Sequence, residues 1–348
     1  MEHAYSDLKA VVDGFKGKRL MVVGDLLLDQ IIRGEVTRIS PEAPVPVVWS
    51  RNREEEDDYL PGGACNVARN LSSLGAEVTL IGLVGRDEKA EKLKELLRRE
   101  KVNIEGVISD GSRPTTLKTR VVASRGLHQQ VLRIDREKID VPSEEISAEV
   151  GEFVSRNIED VDGIIIEDYG KGLITPSLIE AVVSLAARRG KMVAVDPKEN
   201  HFEYYRDVSV ITPNHHEAGT AVGFDITDRE TLEKAGRTLL EKQNADVILI
   251  TRGEKGMMVF EKNKAPHDIP TRAQEVADVS GAGDTVIAVY TLSVVSGATP
   301  VEAAEISNCA AGVVVAKAGP AVASVDELLD KIRKETGRSS LTDARGIK

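Results

Sequence analysis

Cysteine is almost absent from this chain, with only Cys65 and Cys309 in 348 residues. They form no CxxC pair, which excludes a zinc ribbon or a disulfide framework. Long apolar runs are missing too. None approaches the roughly 18–20 residues of a membrane-spanning helix, and Met1 to Lys18 has no apolar core of a signal peptide. There is no basic excess: 46 Lys and Arg against 57 Asp and Glu leave a net charge of −11. The electrostatic footprint of a nucleic-acid binder is therefore lacking, and any anionic ligand must be held by local groups. Neither a membrane nor a nucleic-acid partner is expected, and a soluble, cytoplasmic protein of a reducing compartment is the default. Asn70-Leu71-Ser72 matches a glycosylation sequon, which in the absence of a secretion signal is read as chance.

Apolar residues make up 41% and charged residues 30% of the chain. That supports a sizeable core under a solvated surface and excludes a disordered chain. The length suits one large α/β domain with an appendage, or two domains. Short apolar runs recur at Leu20–Val23, Val78–Leu83, Gly163–Ile166, Met192–Val195, Val208–Thr212 and Val247–Thr251. Several are apolar at every position, as strands covered on both faces require. Between them lie helical stripes. Ala64, Val67, Ala68, Leu71 and Leu74 end at Gly75, and Ala90, Leu93, Leu96 and Leu97 follow Asp87 as N-cap. Ile179, Val182, Val183 and Ala186 end at Gly190. This alternation predicts a doubly wound, mostly parallel sheet.

Two stretches lack covering helices. Ile31–Asp58 contains Pro44-Val45-Pro46-Val47-Val48-Trp49 and an acidic run from Arg51, read as a solvated edge. Leu117–Arg136 reads as two strands, Lys118–Ala123 and Gln129–Ile134, turning at Arg125-Gly126. A small sheet outside the main layer is expected from both. Its uncovered apolar face needs a ligand, the main domain or a second copy against it. The tail beyond Glu335 is polar and expected to fray.

Polar residues gather where the main strands end: Gly24-Asp25, Glu167-Asp168, Asp196-Pro197-Lys198, Pro213-Asn214 and Arg252-Gly253. Ligands of open parallel sheets bind at that edge. The strongest local signal is Asp278-Val279-Ser280-Gly281-Ala282-Gly283-Asp284-Thr285 ahead of an apolar helix from Val286. Small residues let backbone N–H groups approach an anion, and the helix N-terminus adds its positive end. Asp284 could simply be a first-turn acid stabilised by the helix dipole. Beside an anion cradle, it could also accept the proton of a hydroxyl attacking a phosphate. Competing motifs are absent. No GxxxxGK[ST] occurs, Val286 stands where a dinucleotide fingerprint needs its third glycine, and His215-His216-Glu217 lacks zinc-ligand spacing. Pro61-Gly62-Gly63-Ala64-Cys65-Asn66 reads either as a tight turn with a cap or as a wall for a polar ligand.

At these residues the chain resembles the ribokinase-like (PfkB) sugar kinases. Gly62-Gly63-Ala64-Cys65-Asn66-Val67-Ala68 with Leu74-Gly75 is similar to the family's first signature, and Asp278–Thr285 to the second, with its anion hole and catalytic aspartate. Asn214-His215-His216-Glu217 matches the NxxE motif, and Thr251-Arg252-Gly253-Glu254-x-Gly256 the nucleotide-binding loop. Ser307-Asn308-x-Ala310-Ala311 is similar to the helix that walls the adenine pocket. The resemblance covers about residues 18–330. It implies a ribokinase-like fold with a small β-sheet lid from about 31–58 and 117–136. One kinase domain over 1–335 and a tail at 336–348 are expected.

One branch, the D-glycero-β-D-manno-heptose-7-phosphate kinases, is similar in Arg38–Val47, Asp168-Tyr169-Gly170-Lys171-Gly172, Asp196-Pro197-Lys198 and Leu132-Arg133-Ile134-Asp135. Many members continue into a nucleotidyltransferase domain with an HxGH motif. None occurs here, and only the kinase half is expected. The resemblance implies ATP and Mg²⁺, with Asp284 as base and Gly281, Ala282 and Gly283 as anion hole. Asn214 and Glu217 would support magnesium. Thr251, Arg252, Gly253, Gly256 and Asn308 would join them around the nucleotide. Asp25, Asp29, Gly62, Gly63 and Asn66 would meet the sugar. Lys171, Lys198 and Arg133 are surface cations taken singly and suit a substrate phosphate taken together. The alternatives are a kinase of another sugar (ribose, 2-keto-3-deoxygluconate or a hexose phosphate) or a degenerate nucleotide-binding scaffold. A homodimer through the lid sheets is expected from Val45, Val47, Val48 and Trp49.

Overall fold

The computed structural model describes residues 3–50, 57–123, 129–271, 276–317 and 319–343. The expected turn at Arg125-Gly126 and most of the acidic run from Arg51 lie outside the described residues. Numbered in chain order, the main strands are β1 (Arg19–Gly24), β5 (Glu77–Val84), β6 (Asn103–Ser109), β9 (Gly163–Glu167), β10 (Met192–Asp196), β11 (Val210–Ile211), β12 (Val247–Thr251), β13 (Met257–Glu261) and β14 (His267–Ile269). They form one sheet in the order β14-β13-β12-β11-β10-β9-β1-β5-β6. Pairing is parallel from β6 to β12, and β13 and β14 add an antiparallel edge.

The helices are α1 (Tyr5–Asp13), α2 (Ala64–Ser73), α3 (Glu88–Arg99), α4 (Glu144–Asn157), α5 (Pro176–Arg189), α6 (His215–Val222), α7 (Arg229–Gln243), α8 (Ala282–Val295), α9 (Pro300–Val314) and α10 (Val325–Asp343). The last is seated in the core by Leu328 and Ile332. Strand side chains alternate between two apolar clusters. Leu20 and Val22 join α1, α2, α3, α8, α9 and α10 on one face, while Met21 and Val23 join α4, α5, α6 and α7 on the other. Both faces are thus covered, which is why β1 after Arg19 and β9 before Glu167 carry no polar side chain. Helix ends follow the sequence signals. Asp87 accepts from the Ala90 N–H, and Gly190 closes α5 in the left-handed region.

The second sheet is β3-β2-β7-β8, with β4 also paired to β2. Its strands are β2 (Leu26–Ile39), β3 (Pro46–Trp49), β4 (Asp58–Gly63), β7 (Leu117–Ala123) and β8 (Gln129–Arg136). It begins earlier than the expected Ile31, because Leu26–Gln30 are strand as well as core. Asp29 on β2 stands opposite Lys118 on parallel β7, and opposite Leu60 on antiparallel β4. This root joins the lid to the main sheet at the Gly24-Asp25 strand end.

Candidate active site

The five polar strand ends lie on adjacent parallel strands, β1, β9, β10, β11 and β12, and so share one edge. Helix α8 starts at the same place. Gly281 precedes it at φ +77°, and a Cβ there would lie 2.6 Å from Asn66 Nδ2. No side chain caps α8; the Ala282 N–H donates to the Val279 carbonyl at 3.2 Å, and the N–H groups of Gly283 and Asp284 are left for an anion.

Asp284 sits in that first turn and is buried. Its Oδ2 accepts from Asn66 Nδ2 at 2.6 Å and its Oδ1 from the Tyr169 hydroxyl at 2.9 Å. Burial pushes the Asp284 carboxyl above the usual carboxylate range, against the pull of these two donors. Asn66 is fixed in turn by helix packing: Asn70 Nδ2 donates to the Asn66 carbonyl at 2.9 Å, and Thr285 Oγ1 donates to Asn70 Oδ1 at 3.0 Å. The Asn70 side chain is thus consumed inside the α2–α8 interface, which suits the reading of its sequon as chance.

The loop after β9 carries Tyr169. Asp25 Oδ2 accepts from the backbone N–H of Tyr169 and of Lys171, both at 2.9 Å. Asp168 accepts from the Gly170 N–H at 2.8 Å and from the Tyr205 hydroxyl at 2.6 Å. Asp25 therefore fixes the loop that aims Tyr169 at Asp284. Burial raises its carboxyl to about 6. Asp29, Gly62, Gly63, Asn66, Lys118, Tyr169, Gly281 and Asp284 line a small cavity of about 70 Å³. Asp29 is ion-paired with Arg120 of β7. A Cβ on Gly62 would lie 2.4 Å from Asp29 Oδ2, so only glycine lets β4 pass the carboxylate.

The three cations singled out in the sequence each have a carboxylate of their own. Lys171 pairs with Glu137 at 2.8 Å, Arg133 with Asp135 at 2.5 Å and Lys198 with Glu199 at 3.3 Å. Lys171 and Arg133 stand close enough to Lys118 to disfavour its charge. Lys198 instead acts on Glu217. Lys118 was not singled out in the sequence. Only the parallel pairing of β7 with β2 reveals it as a cavity residue.

A second feature unseen in the sequence is an acidic cluster behind Asp284. Carboxylate oxygens of Glu167, Asp196 and Asp284 all lie within 4.8 Å of one another. Both Glu167 oxygens are buried and receive no donor among the described residues. Burial, followed by the charges of Asp196 and Asp284, drives the Glu167 carboxyl far upward. Asp196 is raised by burial and then by Glu217 and Asp284. Such a cluster of carboxylates, without a cationic partner among the described residues, fits a divalent cation. Asn214 and Glu217, the expected magnesium supports, form the capping box of α6. Asn214 Oδ1 accepts from the Glu217 N–H at 3.0 Å, and Glu217 Oε2 from the Asn214 N–H at 2.8 Å. Their side chains thus set the helix start, and Glu217 faces the cluster through Asp196.

On the far side of Gly283 runs a cleft of about 480 Å³. Thr251, Gly253 and Gly256 form one wall, and Met257, Val286, Ala311 and Val315 give it apolar sides. Asn308 lines it and donates to the Pro270 carbonyl at 2.7 Å. This slot fits a purine base, with Ala282 and Gly283 of the helix start at its inner end. Arg252 is absent from the cleft walls. Its Nη2 donates to the Lys255 carbonyl at 2.8 Å and pairs with Asp268, pinning the β12–β13 turn.

Comparison with known proteins agrees with this architecture. A model of the pfkB family of carbohydrate kinases matches residues 20–327. The chain belongs to the pfkB family of carbohydrate kinases. As a pfkB-family kinase it is similar to the bifunctional protein HldE of Helicobacter hepaticus, at 43% identity over 320 residues, 92% of this chain and 65% of that protein. It is also similar to the bifunctional protein HldE of Desulfatibacillum aliphaticivorans, at 42% identity over 321 residues, 92% and 64% of the two chains. The chain spans just under two thirds of the length of these relatives. Ribokinase of Arabidopsis thaliana, solved with ribose and ATP, superposes with a TM-score of 0.71 at 19% identity, over 91% of this chain and 99% of that one. Phosphofructokinase-2 of Escherichia coli, solved with potassium, gives 0.75 at 18%, with the same coverage. These place the pfkB-family chain in the ribokinase-like fold, a large mixed sheet with a smaller second sheet as lid. Among the described residues no helix is long and apolar enough to cross a membrane.

Proposed function

We propose that the chain transfers the γ-phosphoryl group of ATP to the C1 hydroxyl of D-glycero-β-D-manno-heptose 7-phosphate. The product is the 1,7-bisphosphate, a precursor of ADP-heptose and the lipopolysaccharide core. The observation that carries the reaction type is Asp284. It is a buried carboxylate of raised proton affinity, held by Asn66 and Tyr169 at an uncapped helix start, between the small cavity under the lid and the larger cleft beyond Gly283. The choice of sugar is supported by the shared segments at Arg38–Val47, Asp168–Gly172 and Leu132–Asp135 and by the cations near the acceptor cavity.

In this reaction the C1 oxygen forms the new bond to phosphorus as the bridging bond to ADP breaks, and Asp284 takes the hydroxyl proton. Asn66 and Tyr169 keep both carboxylate oxygens oriented. Backbone N–H groups at Gly281 and Gly283 stabilise charge on the moving phosphoryl group, and that of Ala282 joins them on turning from the Val279 carbonyl. Glu167 and Asp196, with Glu217 behind them, would hold magnesium, which supplies neutralising charge to the donor phosphates. The lid strands exclude water, the competing acceptor. A coupled ADP-release assay over a panel of sugars and sugar phosphates tests the reading. The heptose 7-phosphate is expected to give the highest kcat/KM. A higher value for ribose or for a hexose phosphate would replace the assigned acceptor.

The lid also supports a homodimer. Ile39, Trp49, Leu132 and Ile134 are exposed on one small sheet, with Val45 in the bend just before β3 and Trp49 56% accessible. So many apolar groups on an uncovered sheet suit burial against a second copy. Light scattering at micromolar concentration is expected to give twice the mass of the 37.7 kDa chain, and Trp49→Asp to give monomer. A fully active wild-type monomer would overturn it.

A further inference from the structure

Lys118 occupies an unusual place. It is only 8% exposed, yet its ammonium makes no ion pair or hydrogen bond among the described residues. Its Nζ lies 4.8 Å from the centroid of the Tyr169 ring. Its neighbours do not share this condition. Arg120, two positions on along β7, is paired with Asp29, and Lys171 and Arg133 have Glu137 and Asp135. A nearly buried ammonium without partners loses hydration and gains little in return. Burial is the largest influence on its proton affinity and lowers it; the Asp29 charge works against burial, Lys171 and Arg133 lower the affinity further, and Asp135 offsets them in part. Such a group is stabilised when an anion arrives. The side chain lines the cavity that holds Asp284, on the same face of the sheet as Asp29.

We propose that Lys118 is the specificity-determining residue that takes the anionic group of the acceptor sugar. Of the cavity's cations among the described residues, Arg120 is ion-paired with Asp29, whereas Lys118 makes no ion pair of its own. The inference rests on the sugar-phosphate kinase reading but not on which sugar phosphate is the acceptor. Lys171 and Arg133 form a second rank, adding positive potential behind their own carboxylates. The Tyr169 ring carries Lys118 on its face while its hydroxyl holds Asp284, so one side chain joins acceptor recognition to the base.

The test uses Lys118→Met, which keeps the aliphatic stem over Tyr169, and Lys118→Arg. KM and kcat are measured with whichever phosphorylated acceptor the panel selects, and with its unphosphorylated counterpart. For the phosphorylated acceptor, Lys118→Met is expected to raise KM roughly ten- to hundredfold, the worth of a charged hydrogen bond, with kcat within a fewfold. The unphosphorylated sugar should be used equally well by both proteins, and Lys118→Arg should recover most of the affinity. An unmoved KM with Lys118→Met at an unchanged melting midpoint overturns the proposal. So does an equal rise in KM for both sugars. A variant that fails to fold would leave Lys118→Arg decisive, because a folded Lys118→Arg with no preference for the phosphorylated sugar also overturns it. If an acceptor other than the heptose phosphate wins the panel, the functional reading falls while this comparison still stands.

Discussion

Asp284→Asn is expected to lower kcat by roughly 10²-fold or more, the scale of a general base, while leaving ATP affinity nearly unchanged. The amide can still receive the Asn66 or the Tyr169 hydrogen bond on its oxygen, so the site should stay assembled. It cannot accept the hydroxyl proton, and loss in kcat without loss in nucleotide binding is the signature of that missing step. Single-turnover phosphoryl transfer with isothermal titration of ATP separates the two quantities. Turnover near wild type would leave Asp284 as a first-turn acid stabilised by the helix dipole and nothing more.

Asp25→Asn should do the opposite to stability. The Asp25 carboxyl is raised by burial to about 6 in the folded protein, against about 3.9 for an unperturbed aspartate. The native state therefore binds this proton more tightly than the unfolded chain. Below about pH 4 the group is neutral in both states and imposes no penalty. Between about pH 4 and 6 stability falls because the unfolded chain ionises this group while the buried carboxyl keeps its proton, and once the folded group has ionised as well, above about pH 6, the penalty is complete, at about 3 kcal/mol. Asn removes the charge and keeps an oxygen for the Tyr169 and Lys171 N–H groups. Urea unfolding at pH 7 should show the variant more stable by up to about 3 kcal/mol, and the difference should vanish below about pH 4. Activity should drop even so, because the loop that aims Tyr169 would be less firmly held. A variant less stable at pH 7 would mean that the charged hydrogen bonds outweigh burial.

Much of this was readable from residue order. Apolar runs such as Gly163–Ile166 marked β9 and its neighbours because strands buried on both faces leave no room for polar positions. Asp284 stood out because glycine and alanine ahead of an apolar helix form a recognisable anion cradle. The chain gave no local sign of Lys118, whose neighbours Leu117 and Thr119 are ordinary strand residues. Its importance comes from a strand ninety residues earlier that sets Asp29 beside it. Glu167 looked like a polar strand end, and only the packing of β10 and α8 around it makes its oxygens an unmatched charge. Arg133 and Lys171 showed the converse: the sequence displays a cation and conceals the carboxylate folded against it. Asn214 and Glu217 follow a capping-box pattern as well as a kinase motif, and one spacing cannot separate two uses that the same helix start can serve together.

The long strand β2 has a consequence for how such a protein changes its diet of sugars. Its root faces Asp284 across the cavity and its tip lies in the exposed lid, with β7 running alongside in register. Asp29, Lys118 and Arg120 share a face only because side chains alternate with a period of two. A one-residue insertion near the root of β2 or β7 would turn that face outward and erase the recognition surface in one event. A change of side chain at Lys118 would alter the preferred acceptor and leave the register untouched. Divergence of acceptor preference on this scaffold should therefore proceed by exchange at alternate strand positions, while length variation is confined to the far ends of the lid strands, where parity no longer addresses the sugar.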